Sequence, residues 1–130
     1  SGPPVEVECG QVITESIVVA NDVTGCMGEA IVIGAPNIVL DLGGHTVESD
    51  VLFISGQETG LISGIRNSGK TNVVIRNGTV TNFGYGVMLT GGTTYNVVHD
   101  LKLDGHIWNP VDPDRARRLV DAMAGFGSSR

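Results

Sequence analysis

Asp41, Arg76 and Asp100 are the residues with the clearest chemical potential. Each holds the fifth place of a short segment that opens on asparagine: Asn37-Ile38-Val39-Leu40-Asp41, Asn72-Val73-Val74-Ile75-Arg76 and Asn96-Val97-Val98-His99-Asp100. A guanidinium between two carboxylates on one face can neutralise the carboxylate of a sugar acid while Asp41 or Asp100 takes the neighbouring proton. Elimination and epimerisation need that combination of cation and base. The simpler reading of the same residues is an exposed ion-pair ladder, worth about 0.2–1 kcal/mol per pair. Calcium requires about six to eight oxygen ligands, more than two carboxylates split by an arginine supply, so no metal or cofactor is assigned. Tyr85, Tyr95 and Trp108 are candidate ligand-binding residues, because an aromatic ring can stack on a sugar and a tyrosine hydroxyl can act as an acid. Arg66 and Lys70 would complete a second polar face with the two tyrosines. No nucleophile elbow, phosphate loop or dinucleotide fingerprint occurs.

The elements that position these residues are short. Ala30-Ile31-Val32-Ile33-Gly34, Gly64-Ile65-Arg66-Asn67 and Gly86-Val87-Met88-Leu89-Thr90 each lead through a polar turn into the asparagine segments. Thr46-Val47 and Thr79-Val80 follow two of them after glycine-bearing corners. The internal repeat therefore predicts strands of about three to five residues separated by Gly, Asn and Thr corners. The first interval between repeats is the longer, and its surplus falls near residues 49–63, where Ser55-Gly56-Gln57-Glu58-Thr59-Gly60 reads as a loop. Recurrence of one residue class at one place favours parallel stacking at about 4.8 Å over an antiparallel sandwich. The expected stacks are Ile38/Val73/Val97, Val39/Val74/Val98 and Asn37/Asn72/Asn96. Alternation puts Ile38, Leu40, Leu42, Val73, Ile75, Val97 and Leu101 in the core and Asp41, Arg76 and Asp100 outside. His99 then points inward, and His45, at a Gly-Gly corner, serves the turn.

The two ends differ. Cys9 and Cys26 enclose a short loop in which a disulfide would contribute about 3 kcal/mol; the alternative is two reduced, buried thiols. Zinc lacks enough ligands there. A disulfide would place the chain in an oxidising compartment, secreted or periplasmic. At the other end Asp112 and Pro113 read as a helix cap and first turn, and Ala116, Leu119, Val120 and Met123 give residues 113–124 an amphipathic face. That helix is expected to cap the stack or to join copies of the chain. Domain organisation follows as residues 1–109 and a C-terminal helix and tail, 110–130.

Composition narrows the class. With 130 residues, 41% of them hydrophobic, the chain has the length of one folded domain. Nineteen glycines are about twice the usual share, favouring tight turns over long helices. A net charge of −6 suits a phosphate backbone poorly, so nucleic acid is not expected as a partner. No apolar run reaches the roughly 18 residues of a membrane helix, and no membrane partner is expected.

The asparagine-led segments, with Gly43-Gly44-His45-Thr46-Val47, Gly64-Ile65-Arg66-Asn67 and Phe83-Gly84-Tyr85-Gly86-Val87, resemble the right-handed parallel β-helix repeats of the pectate-lyase-like superfamily. In particular they resemble secreted bacterial members with an N-terminal cysteine pair, similar to Cys9 and Cys26. The resemblance spans residues 9–105 and implies an all-β fold: a short right-handed parallel β-helix of about three coils plus a partial first one. Such scaffolds host lyases, epimerases, isomerases and non-catalytic binding proteins. A stack of about 15–20 Å at 4.8 Å per coil is too short for a long glycan cleft. The expectation is therefore a secreted module for carbohydrate binding or assembly, self-associating into a homo-oligomer. A small uronate lyase, epimerase or isomerase with Arg76 as clamp and Asp41 or Asp100 as base is the alternative; a purely structural oligomer is the third reading.

Overall fold

The computed structural model describes residues 2–50 and 62–104. The helix expected over 113–124, the domain boundary at 109/110, the loop at 55–60 and Trp108 lie outside the described residues. Among the described residues there are eleven strands and no helix. They are β1 (Pro4–Val5), β2 (Gln11–Ile13), β3 (Ile17–Val19), β4 (Val23–Cys26), β5 (Ile31–Ile33), β6 (Val39–Asp41), β7 (Thr46–Ser49), β8 (Ser63–Ser68), β9 (Val74–Thr81), β10 (Tyr85–Thr90) and β11 (Val97–Asp104).

All nine strand pairings are parallel, which excludes the antiparallel sandwich for the described residues. One sheet has seven strands in the order β1-β3-β6-β9-β7-β4, with β11 also on β9. The other has four, β10-β8-β5-β2. From β2 onward the chain alternates between the sheets, leaving one strand in the smaller sheet before each return to the larger. Short β-branched strands suit this path, because each needs only a pleated surface buried on its inner face. Ile31, Ile33, Ile65, Val87 and Leu89 of the smaller sheet meet Leu40, Ile75, Val80, Val98 and Leu103 of the larger in one continuous core.

β9 is long because it serves two neighbours. Its first half pairs with β6 and its second with β7, and between them the chain bends at Asn77, whose φ is 65°. The next residue, Gly78, must be glycine, since a Cβ there would stand 2.5 Å from that of Leu42. β11 follows β9 along its length and bends at Asp100, φ 52°, opposite Asn77.

The expected stacks hold for the first two segments and slip by one residue in the third. Val39 faces Val74 and then Val97; Leu40 faces Ile75 and then Val98; Asp41 faces Arg76 and then His99. A slip of one reverses the side chains as far as the bend at Asp100, beyond which Leu101 is in the core as expected. Val98 is buried where Val97 was expected, Val97 is 38% exposed, and His99 points outward instead of into the core. The cause is Asn96. Its carboxamide oxygen accepts from Asn67 Nδ2 at 3.0 Å and from Val73 N at 3.2 Å, inside the structure. Asn96 therefore takes the inner place beside Val73, and Tyr95, not Asn96, falls in line with Asn37 and Asn72.

Cys9 and Cys26 are disulfide-bonded, with Cα atoms 5.5 Å apart and a sequence separation of 17. Cys26 ends β4 in the core and Cys9 lies on the surface before β2. Replacing both cysteines with serine is expected to lower unfolding stability by about 3 kcal/mol. Urea titration of the two forms measures this; equal midpoints would mean that the bridge adds nothing to the fold.

Candidate functional site

The outer face of the seven-stranded sheet carries the row Asp41, Arg76, His99, on β6, β9 and β11. Asp41 is at its centre of charge. Its Oδ2 accepts from Arg76 Nε at 3.1 Å, and its Oδ1 accepts from Gly43 N at 2.8 Å and Asn77 Nδ2 at 3.1 Å. The two glycines after Leu42 and the left-handed turn at Asn77 aim those donors at the carboxylate. Burial opposes the charge and is the largest single influence on Asp41. The hydrogen bonds from Gly43, Asn77 and Arg76, with the arginine's charge, together outweigh it and hold the carboxyl below its ordinary value.

Asp100 does not join this row. It sits at the bend of β11, and its Oδ2 lies 2.6 Å from His99 Nδ1. The constellation Asp41–Arg76–Asp100 is thus corrected to Asp41–Arg76–His99, with Asp100 behind the histidine. With a carboxylate as acceptor, the proton of the neutral ring sits on Nδ1 and Nε2 becomes the basic nitrogen. A row of valines, Val39, Val74 and Val97, runs beside these residues two positions back along the strands.

The second polar face expected from Tyr85, Tyr95, Arg66 and Lys70 is dispersed. Arg66 projects from β8 between Val32 and Met88 and pairs with Glu29 Oε2 at 3.0 Å. Tyr85 opens β10 opposite Ser63 and is half-buried. Lys70 contributes its backbone: its N–H donates to Asn67 Oδ1 and its carbonyl accepts from Asn67 Nδ2 and Asn96 Nδ2. Tyr95 is 83% exposed at the corner before β11, with φ 57°.

His45 serves the corner between β6 and β7. Its N–H donates to Leu42 O and its carbonyl accepts from Thr79 N, while Nδ1 lies 3.0 Å from Asp22 Oδ1. Thr46 N–H donates to the same Asp22 oxygen, and these contacts lower the Asp22 pKa, the Thr46 bond most. No cluster of three or more His, Cys, Asp or Glu side chains able to hold a metal occurs among the described residues.

Asn77 and Asn67 are the residues that sequence reasoning passed over. The Asn77-Gly78 pair matches the glycine corner after Leu42 and was the available signal for the first. Nothing local marks Asn67, which occupies a core position between Ile33 and Leu89. No family model, curated protein or solved structure matches the chain.

Because the Asp41 carboxyl is lowered on folding, its contribution to stability is present above the ordinary aspartate value of 3.8. It is lost as pH falls through the lower folded value. Asp41→Asn is expected to cost about 1–3 kcal/mol at neutral pH, with the gap to the parent closing below about pH 4. Melting temperatures of both forms from pH 7 to about pH 2 measure it; a gap independent of pH would remove the charge from the account.

Proposed function

We propose that the chain is a short right-handed parallel β-helix of the pectate-lyase-like kind, working outside the cytoplasm as a carbohydrate-binding module. The all-parallel pairing and the alternation between sheets support the fold, and the disulfide supports the compartment. The observation that carries the functional reading is the state of Asp41. A carboxylate engaged by three donors and held below its ordinary pKa accepts a substrate proton poorly, so the acid residue best placed beside Arg76 is a fixed and buried part of the sheet, not the solvent-facing charge expected. The ordered polar row beside a strip of valines suits saccharide hydroxyls and C–H faces. Self-association belongs to the same reading: β10 and β11 each have a parallel partner on one side only among the described residues.

One observation favours a second reading. His99, held by Asp100 and adjacent to Arg76, pairs a base with a cation, so elimination or epimerisation on a uronate would run from His99 Nε2 in place of Asp41 or Asp100.

The test is calorimetric titration of the full chain with cellohexaose, chitohexaose and hexagalacturonate, together with an absorbance assay for unsaturated uronate product. Binding of at least one saccharide without product is expected. Product formation that disappears in His99→Ala would transfer the assignment to the second reading, and no binding to any of the three would end the first. Light scattering over a concentration series is expected to give a discrete oligomer; a monomer throughout would remove self-association.

A further inference from the structure

Tyr95 stands where two asparagines stand in the preceding repeats. The backbone bonds Asn37 N–H to Thr71 O and Asn72 N–H to Thr94 O are equivalent, and the pairing of Val97 with Val74 carries the register on from Asn72 to Tyr95. All three residues are left-handed, with φ of 64°, 58° and 57°. Asparagine tolerates that conformation through its short polar side chain, whereas a bulky aromatic there is an outlier held at an energetic cost. Packing does not repay the cost, because the ring is 83% exposed.

The surroundings indicate what does. Asn72 Nδ2 donates to Asn37 Oδ1 at 3.0 Å, forming an amide ladder directly in line with the tyrosine. Asn72 Oδ1 and Asn37 Nδ2 carry no further side-chain bond among the described residues, which leaves one acceptor and one donor on an exposed edge. Val97, two residues on, is 38% exposed. An aromatic face beside an amide donor and acceptor matches a pyranose ring, whose C–H face stacks on the aromatic while its hydroxyls exchange bonds with the amides. The amide ladder itself is uncharged, and a net charge of −6 disfavours an acidic sugar.

We propose that Tyr95, with the Asn37–Asn72 ladder, is a binding site for a neutral saccharide, and that the strained backbone at Tyr95 is retained for this purpose. The inference deepens the carbohydrate-binding reading and rests on it.

The decisive variant is Tyr95→Asn, which restores the residue type of the two preceding repeats. It is expected to raise Tm by about 2–4 °C and to weaken cellohexaose or chitohexaose binding by about tenfold or more. Tyr95→Phe, which keeps the ring, is expected to retain most of the affinity. A fall in Tm for Tyr95→Asn would make the ring a structural element and overturn the proposal. Unchanged affinity for both neutral hexasaccharides would overturn it also. Binding of hexagalacturonate alone would overturn this site while leaving the general carbohydrate reading standing, and binding of none of the three would end both.

Discussion

A carboxamide pair with almost no access to water fixes how the last strand meets the rest. Asn67 occupies an inward position that isoleucine and leucine hold on the strands either side, so its amide must be fully partnered within the protein. It meets Lys70's backbone on one side and Asn96 on the other. Asn96 in turn takes the N–H of Val73 and gives its own protons to Lys70 and Thr94 carbonyls. A displacement of β11 by one residue would break this set and bury His99 in place of Val98. Packing and hydrogen bonding therefore select the same register, which is the condition for a single well-defined arrangement.

The outer surface inherits its chemistry from that choice. With Asn96 inside, His99 comes into line with Arg76 and Asp41, and Asp100 is left at the bend. The valines beside the row stay partly exposed and Tyr95 is thrown onto the corner. Corner geometry supplies the other half of the electrostatics, since the Gly43 amide and the Asn77 side chain reach Asp41 only because both turns are tight and left-handed. The surface row and the core network are thus two faces of one backbone path.

Much of this path was legible in the residues. β-Branched triplets bounded by Gly and Asn gave strands, recurrence gave parallel pairing, and the cysteines gave an N-terminal bridge. The alignment of Asp41 with Arg76 followed from identical asparagine-led segments. The third segment misled because it too opens on asparagine, and sequence pattern cannot distinguish an asparagine that suits a left-handed corner from one needed as a buried hydrogen-bond partner. Only the position of Asn67 on another sheet decides that, and this is a tertiary fact. The same long-range bond hid the placement of His99 and Asp100, and with it the order of the polar row.

The bridge between Cys9 and Cys26 ties β4 to the segment that enters β2, and no comparable covalent tie exists at β10 or β11 among the described residues. Fluctuations that open a protein locally begin where restraint is least. The two ends of the fold therefore differ in the work needed to peel them apart. Among the described residues β2 and β4 are edge strands just as β10 and β11 are, so it is the bridge and not strand pairing that sets the first end apart. The residues of the candidate saccharide corner lie towards the end that has no covalent tie among the described residues.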